Sequence, residues 1–192
     1  MRNSPQLITY ADRLAGDIQG VLQLLNGPFA GAFGGVHILP FFDPIDGADA
    51  GFDPRDHTSI DQRLGTWNDI ANISAHFDVM ADLIVNHVSS DSEQFQNWIR
   101  LGTESQWDDM FLTLSSVFPD GASEEDLAKI YRPRPGMPFT TTTMGDGTNR
   151  LVWTTFTSQQ IDIDVESQSG LAYLDSILDA FASGGVNLVR LD

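Results

Sequence analysis

The sequence predicts an α/β fold built on a parallel sheet, and three features of the 192-residue chain support this. Short apolar segments of strand type alternate with amphipathic helical segments, which is the pattern of consecutive βα units. Long loops follow the strand segments. Polar and charged residues stand where the strands end, which is where parallel folds gather their functional groups.

The first half of the chain supplies three strand segments and two helices. The predicted strands are Gln6–Tyr10, Gly35–Pro40 and Val79–Asn86. The predicted helices run from Ile18 to Asn26, with Asp17 as N-cap, and from Trp67 to His76, with Thr66 as N-cap. Residues 11–13 are predicted as a polar loop, and residues 41–65 as a long Asp-rich loop.

The strand–helix rhythm breaks between Val88 and Glu166, which predicts an inserted subdomain, because a structureless loop longer than about 12–15 residues is uncommon. The segments expected inside it are helices at 94–99 and 124–130 and strands at 140–143 and 151–156. The rhythm then resumes with a helix over 171–181. The predicted buried face of this helix comprises Leu171, Leu174, Ile177, Leu178 and Phe181.

The fourth predicted strand, residues 185–192, is apolar enough to be buried, yet it ends in Arg190-Leu191-Asp192. Alternation along a strand places Arg190 and Asp192 on the same side. A guanidinium beside a carboxylate keeps the carboxylate ionised and oriented. Asp192 is therefore a candidate nucleophile or charge stabiliser, and a salt bridge at a strand end is the alternative.

Composition excludes several classes of partner. The chain has 27 acidic and 10 basic residues and a formal charge of −17, which argues against nucleic acid and anionic membranes. It contains no cysteine, so it has neither disulfides nor thiolate metal sites. No stretch reaches the roughly 18–20 apolar residues of a membrane span, and no apolar leader segment is evident. A cytoplasmic protein is expected.

Five short motifs occur in order along this predicted framework. They are Gly35–Pro40, Gly51–His57, Asp82–His87 (D-x-x-x-N-H), Gln160–Asp164 and Leu188–Asp192. Together they resemble the α-amylase superfamily of glycoside hydrolases and transglycosylases, glycoside hydrolase family 13. Leu188 stands where many members have Gly, and Phe52 and His57 replace tyrosines.

The resemblance implies a (β/α)8 TIM barrel of α-amylase type, of which this chain holds the first four strands. Residues 1–87 would carry strands 1–3, residues 88–166 an inserted domain B, and residues 167–192 the third helix and fourth strand. The acid/base Glu of this family follows the fifth strand and its stabilising Asp the seventh, so both lie outside this chain. The isolated chain is therefore expected to be inactive.

Further segments resemble one subfamily of these enzymes, the phosphorylases that act on sucrose. They are residues 6–14, 36–42, 46–54 and 131–136. The implied reaction converts sucrose and inorganic phosphate to glucose 1-phosphate and fructose through a covalent glucosyl–Asp192 intermediate, without a cofactor. A homodimer of the full-length enzyme is compatible with the resemblance. The alternatives are a phosphorylase of sucrose 6-phosphate or glucosylglycerate, and a non-catalytic half-barrel fragment.

By the same resemblance, Arg190 orients Asp192, His87 donates to a glucose hydroxyl, and Asp49 binds the far side of the glucose ring. Asp82 and Asn86 are assigned to hydrogen-bond capping, while His37, His57 and His76 receive no role. A solvated loop carboxylate is the alternative for Asp49, and a core or surface histidine is the alternative for His87.

The resemblance further implies that Phe52, Phe156 and Gln160 line the sugar and acceptor pocket, and Tyr131 is another candidate for substrate binding. Either Phe could equally be a core residue, although aromatic faces suit sugars. Arg134 is the candidate phosphate ligand because guanidinium matches phosphate geometry, with a salt bridge to nearby acids as the alternative. The Asp-rich loop lacks calcium-loop spacing, so no metal is expected.

Overall fold

The computed structural model of the chain describes residues 2–44, 46 and 49–192. Ile45, Gly47 and Ala48 of the Asp-rich loop, and Met1, lie outside the described residues. The chain divides into two compact units. The first unit comprises residues 1–84 and 175–192, and the second comprises residues 85–174.

A four-stranded parallel sheet forms the centre of the first unit. Its strands are β1 (Gln6–Thr9), β2 (Gly35–Ile38), β5 (Asp78–Leu83) and β10 (Leu188–Leu191), and they lie side by side in that order. Neighbouring strands pair in parallel, with Arg190 opposite Asp82 and His37 opposite Met80. All four residues of β2 are buried. The predicted parallel sheet of four strands is therefore confirmed.

Helices in the first unit begin where the sequence predicts. The helix α2 (Ile18–Asn26) starts at Asp17, whose side chain accepts from the Gly20 amide at 2.6 Å. The helix α3 (Trp67–Ser74) starts with a capping box between Thr66 and Asp69. Each of these side chains satisfies a helix-end donor that has no partner within the helix. The polar loop expected at 11–13 is instead the short helix α1 (Ala11–Ala15).

The Asp-rich segment also contains strands that its composition does not predict. Strands β3 (Phe42–Pro44) and β4 (Pro54–Ile60) pair in antiparallel fashion, with Phe42 opposite Ile60. The inward residues of β4, including His57 and Ile60, are buried. The prediction of a loop throughout residues 41–65 was therefore wrong at 42–44 and 54–60, because these two segments form strands by pairing with each other.

An aromatic cluster fills the core of the first unit. The Phe42 ring stacks against the Phe181 ring with centroids 5.5 Å apart, and the Phe41 ring meets the Trp67 ring edge-on at 5.9 Å. Gly184 follows Phe181 by three residues, and a Cβ there would lie 2.1 Å from the Trp67 ring. The small residue at this position therefore permits the close approach of helix end and indole.

The second unit holds short helices and two antiparallel ribbons. Its strands are β6 (His87–Ser89), β7 (Phe139–Thr143), β8 (Asn149–Trp153) and β9 (Gln160–Asp162), and its helices are α4 (Glu93–Leu101), α5 (Leu114–Val117) and α6 (Glu124–Lys129). The strand β6 pairs with β9, and β7 pairs with β8. The rings of Phe95, Trp98 and Phe111 lie within 5.7 Å of one another and form its core.

Two predictions about the end of the chain need correction. The helix α7 (Gln168–Gly184) buries Tyr173, Ile177 and Phe181 at four-residue spacing, whereas Leu171 and Leu178 are exposed. The strand β10 was predicted to be buried, yet Leu191 is 71% exposed. Among the described residues β10 pairs only with β5, so one of its edges and much of its surface remain uncovered.

Candidate active site

The carboxyl end of β10 carries a guanidinium between two carboxylates. Arg190 Nη2 donates to Asp192 Oδ1, and Arg190 Nη1 lies 3.2 Å from Asp82 Oδ1. The Asp192 amide donates to the Leu83 carbonyl at 2.9 Å, which holds the residue against the end of β5. The Asp192 side chain keeps 29% of its surface exposed, so a reactive carboxylate here is both held in place and accessible.

Asp82 is the buried member of this group and contacts two histidines. His37 Nε2 lies 3.0 Å from Asp82 Oδ1, and His57 Nε2 donates to the Asp82 backbone carbonyl at 3.1 Å. The Asp82 side chain is fully buried. Sequence reasoning gave neither histidine a role. A signal was available, because a carboxylate on a predicted buried strand needs hydrogen-bond donors.

A tight turn places Asp49 and Phe52 in the first unit. The Phe52 amide donates to the Asp49 carbonyl at 3.0 Å, while Ala50 and Gly51 adopt positive φ of 53° and 90°. A Cβ on Gly51 would lie 3.1 Å from the Pro40 carbonyl oxygen, so the turn is packed closely on this segment. The Arg190 guanidinium carbon lies 5.7 Å from the centre of the Phe52 ring. The first unit thus brings Phe52, Arg190 and Asp192 together.

The second unit assembles a separate group of candidates on its β6–β9 ribbon. His87 begins β6, is buried, and its ring lies 5.5 Å from the Phe156 ring in an edge-on arrangement. The Asn86 amide nitrogen lies 3.5 Å from His87 Nδ1. Gln160, fully buried in β9, pairs with Ser89 of β6. His87, Phe156 and Gln160 therefore belong to one local structure.

Asp162 lies in the same ribbon, and its pKa is raised above the ordinary value. It pairs with His87 across the ribbon and accepts hydrogen bonds from the Thr155 amide, at 3.0 Å, and from the Thr155 hydroxyl. Burial raises the pKa of Asp162, and the Thr155 hydrogen bonds and the nearby His87 reduce this rise. A buried carboxylate favours its neutral form for this reason.

Asp162→Asn in the full protein should remove a pH-dependent loss of stability. The folded-state pKa of Asp162 is raised, so its favourable contribution is present below the ordinary Asp pKa of about 3.9 and is lost as pH rises through the folded value. The difference in thermal midpoint, variant minus wild type, should therefore increase as pH rises through this window and then level off. The measurement is thermal unfolding of both proteins from pH 3 to pH 8.

A carboxylate with the opposite shift provides the control for this measurement. Hydrogen bonds from Ser123 lower the pKa of Asp126, so its contribution is lost as pH falls. Asp126→Asn should therefore approach wild-type stability at low pH. A stability difference for Asp162→Asn that is constant across pH would contradict the assignment.

Tyr131 and Arg134 lie on an exposed segment of the second unit. Tyr131, 80% exposed, lines a cleft of about 440 Å³ with Ile130, Trp153 and Thr155. Thr155 therefore borders this cleft and also binds Asp162. The structure places Arg134 beyond Tyr131 on the exposed Arg-Pro-Arg-Pro segment.

Neither a metal cluster nor a membrane span emerges from the part of the chain that the structure describes. Within it, no group of three or more His, Asp or Glu side chains is arranged to hold a metal ion. No described helix combines the length and apolar character needed to cross a membrane.

Comparison with known protein families identifies the fold to which this parallel sheet belongs. Residues 6–192 match the family model for the alpha amylase catalytic domain, and the chain belongs to this family. Its α/β fold is that of the α-amylase-type TIM barrel, and the four parallel strands are the first strands of such a barrel.

Named relatives refine this assignment. The sucrose phosphorylases of Bifidobacterium adolescentis and Agrobacterium vitis are 56% and 55% identical over the whole chain. The crystal structure of sucrose 6F-phosphate phosphorylase from Thermoanaerobacter thermosaccharolyticum superposes over the whole chain with a TM-score of 0.93 at 38% identity. The chain spans 38% and 40% of the two sucrose phosphorylases and 40% of the crystallised chain.

Proposed function

We propose that the protein containing this chain is a retaining glucosyl-transferring phosphorylase that converts sucrose and phosphate to glucose 1-phosphate and fructose. One observation carries the proposal: Asp192, at the end of a barrel strand, is held by a guanidinium that also binds buried Asp82. The 55–56% identity to two sucrose phosphorylases supports the choice of substrate.

The chemistry assigned to Asp192 is nucleophilic displacement. Its carboxylate attacks the anomeric carbon of the glucosyl group, the glycosidic bond breaks, and fructose leaves with a proton from the acid/base Glu, which lies outside this chain. Phosphate then attacks the same carbon and passes its proton to the ionised Glu, the bond between Asp192 and that carbon breaks, and the configuration returns to its starting form. Arg190 keeps the Asp192 carboxylate ionised between turnovers.

The other candidates receive binding roles in this proposal. His87 donates to a glucose hydroxyl, Asp49 accepts from hydroxyls on the far side of the ring, and Phe52 presents an aromatic face beside Arg190. The residues assigned to the acceptor side are Phe156, Gln160, Tyr131 and Arg134, with Arg134 as the phosphate ligand.

The domain organisation and cellular context belong to the same proposal. Residues 1–87 and 167–192 are assigned to the barrel, and residues 88–166 to domain B. The net charge of −17 supports a protein without nucleic-acid or anionic-membrane partners. We assign it to the cytoplasm, and a homodimer of the full protein is compatible with the family resemblance.

A phosphorylase of sucrose 6-phosphate is the second candidate, since the crystallised relative carries that name and shares the fold with a TM-score of 0.93. Its identity to the chain, 38%, is lower than the 56% of the B. adolescentis sucrose phosphorylase. A glucosylglycerate substrate is a third option for the same chemistry. Comparing kcat/KM for the three substrates separates these possibilities.

The proposal is tested with the full protein, sucrose and inorganic phosphate. Glucose 1-phosphate should appear, with its anomeric configuration retained by NMR, and mass spectrometry of the acid-quenched protein should detect a glucosyl group on Asp192. Sucrose 6-phosphate as the preferred donor would favour the second candidate. No glucosyl transfer from any of the three donors would overturn the proposed activity.

The isolated 192-residue chain should release no glucose 1-phosphate under conditions where the full protein is active. The acid/base carboxylate of the family follows the fifth barrel strand, and the exposed β10 residues Val189 and Leu191 need further strands to cover them. The measurement is product release at equal molar concentration. Activity of the purified isolated chain would show that a carboxylate within it serves as the acid/base.

A further inference from the structure

The fully buried carboxylate of Asp82 depends on donors that come from two different strands. His37 Nε2, from β2, lies 3.0 Å from Asp82 Oδ1, and Arg190 Nη1, from β10, lies 3.2 Å from the same oxygen. Among the described residues, Asp82 Oδ2 has no hydrogen-bond partner. The polar contacts of this carboxylate among the described residues are therefore the His37 contact and the ion pair with Arg190.

Arg190 is shared between this buried carboxylate and the candidate nucleophile. Its Nη1 faces Asp82, while its Nη2 donates to Asp192. A buried ionised carboxylate that loses a donor pays a large desolvation cost, so it attracts any remaining cation strongly. The position of the guanidinium therefore depends on its attraction to both carboxylates, Asp82 and Asp192.

We propose that His37 is a positioning residue for Asp192, an inference that rests on the proposed function of Asp192 as nucleophile. By donating to Asp82, His37 supplies part of the hydrogen bonding that this carboxylate requires. Arg190 then remains oriented toward Asp192 as well as Asp82. An ionised carboxylate only accepts hydrogen bonds, so Nε2 of His37 carries the proton in this arrangement.

His57 contacts the backbone of the same residue, Asp82. Its Nε2 donates to the Asp82 carbonyl at 3.1 Å, and its ring lies 4.3 Å from the Phe42 ring and 5.9 Å from the Phe181 ring. The aromatic contacts fix the plane of His57, and the hydrogen bond fixes the end of β5. The side chain and backbone of Asp82 are therefore each held by a histidine.

The test compares His37→Leu with His37→Gln in the full protein. Leucine removes the donor, whereas the glutamine amide can donate to Asp82 from a position close to that of Nε2. In His37→Leu we expect kcat to fall by about 10–100-fold, because small displacements of a reacting group have effects of this size. KM should change by less than about threefold, since substrate contacts are retained. His37→Gln should recover most of kcat.

A packing variant controls for general loss of stability. Ile70 is fully buried in α3 of the same unit, and none of its atoms belongs to the candidate site. Ile70→Ala should lower the thermal midpoint at least as much as His37→Leu while leaving kcat near the wild-type value. Equal loss of kcat in His37→Leu and His37→Gln, or an unchanged kcat in His37→Leu, would overturn the inference.

Crystal structures of wild type and His37→Leu separate this inference from the proposed function. If the wild-type protein shows no glucosyl transfer, the proposed function fails, but the two crystal structures still show the position of Arg190 and so still test the inference. The inference requires Arg190 to move toward Asp82 and to lose its hydrogen bond to Asp192 in His37→Leu. An Arg190 that keeps both contacts in the variant would contradict the positioning role, whatever the activity.

Discussion

Asp192→Asn in the full protein should reduce glucosyl transfer by about 10⁴-fold or more, as expected when a covalent nucleophile is removed. An amide has nearly the shape of the carboxylate, and its oxygen can still accept from Arg190. It cannot, however, displace the fructosyl leaving group. The rate of glucose 1-phosphate release is the first measurement, and the glucosyl adduct seen in acid-quenched wild type should be missing from the variant.

Asp43→Asn is the matched control for this substitution. Asp43 also pairs with an arginine, since Arg55 Nη2 donates to it at 2.8 Å, but this pair lies outside the candidate site. The control should keep near-wild-type activity, because exposed ion pairs contribute little. If Asp192→Asn kept more than about one per cent of the activity, the nucleophile would be another group.

Local signals explain why much of the fold could be predicted from the sequence. The N-cap roles of Asp17 and Thr66 depend on residues three positions apart, and both are confirmed. The strands of the sheet are short apolar segments bounded by polar residues, and they were located to within a few residues, although β5 ends at Leu83 and not at the predicted Asn86. These features are encoded within a few neighbouring residues, so inspection of the sequence is sufficient.

The strand β4 illustrates what local signals could not show. Its residues include Arg55, Asp56 and Ser59, which by composition favour a loop. The strand exists because it pairs with β3, and it buries His57 and Ile60. The buried face of α7 was also misjudged, because it depends on which neighbours cover the helix.

The same distinction applies to the candidate site. The contact between Arg190 and Asp192 could be predicted because residues two apart share one side of a strand. The contact between His37 and Asp82 joins residues 45 positions apart and depends on the placement of β2 beside β5. The order of neighbouring strands was predictable, but the side-chain contacts between those strands were not.

A double-mutant cycle on Arg190 and Asp82 should separate their structural and functional roles. Arg190→Leu should lower the free energy of unfolding by about 1–3 kcal/mol, because it leaves the buried Asp82 carboxylate with fewer donors. Asp82→Asn should cost less, since the Arg190 side chain is 42% exposed and stays hydrated beside Asp192. Both single variants should lose activity, with the larger loss for Arg190→Leu.

The double variant, Arg190→Leu with Asp82→Asn, decides between the two roles. It contains no buried charge at position 82, so it should be more stable than Arg190→Leu alone and show a clear coupling energy. Its activity should nevertheless stay as low as that of Arg190→Leu, because no cation orients Asp192. Urea unfolding and phosphorolysis rates of the four proteins provide both measurements. If the stability losses of the two single variants were additive, the Arg190–Asp82 contact would carry no coupling energy. If the double variant regained activity together with stability, Arg190 would be a structural residue and Asp192 would not need it.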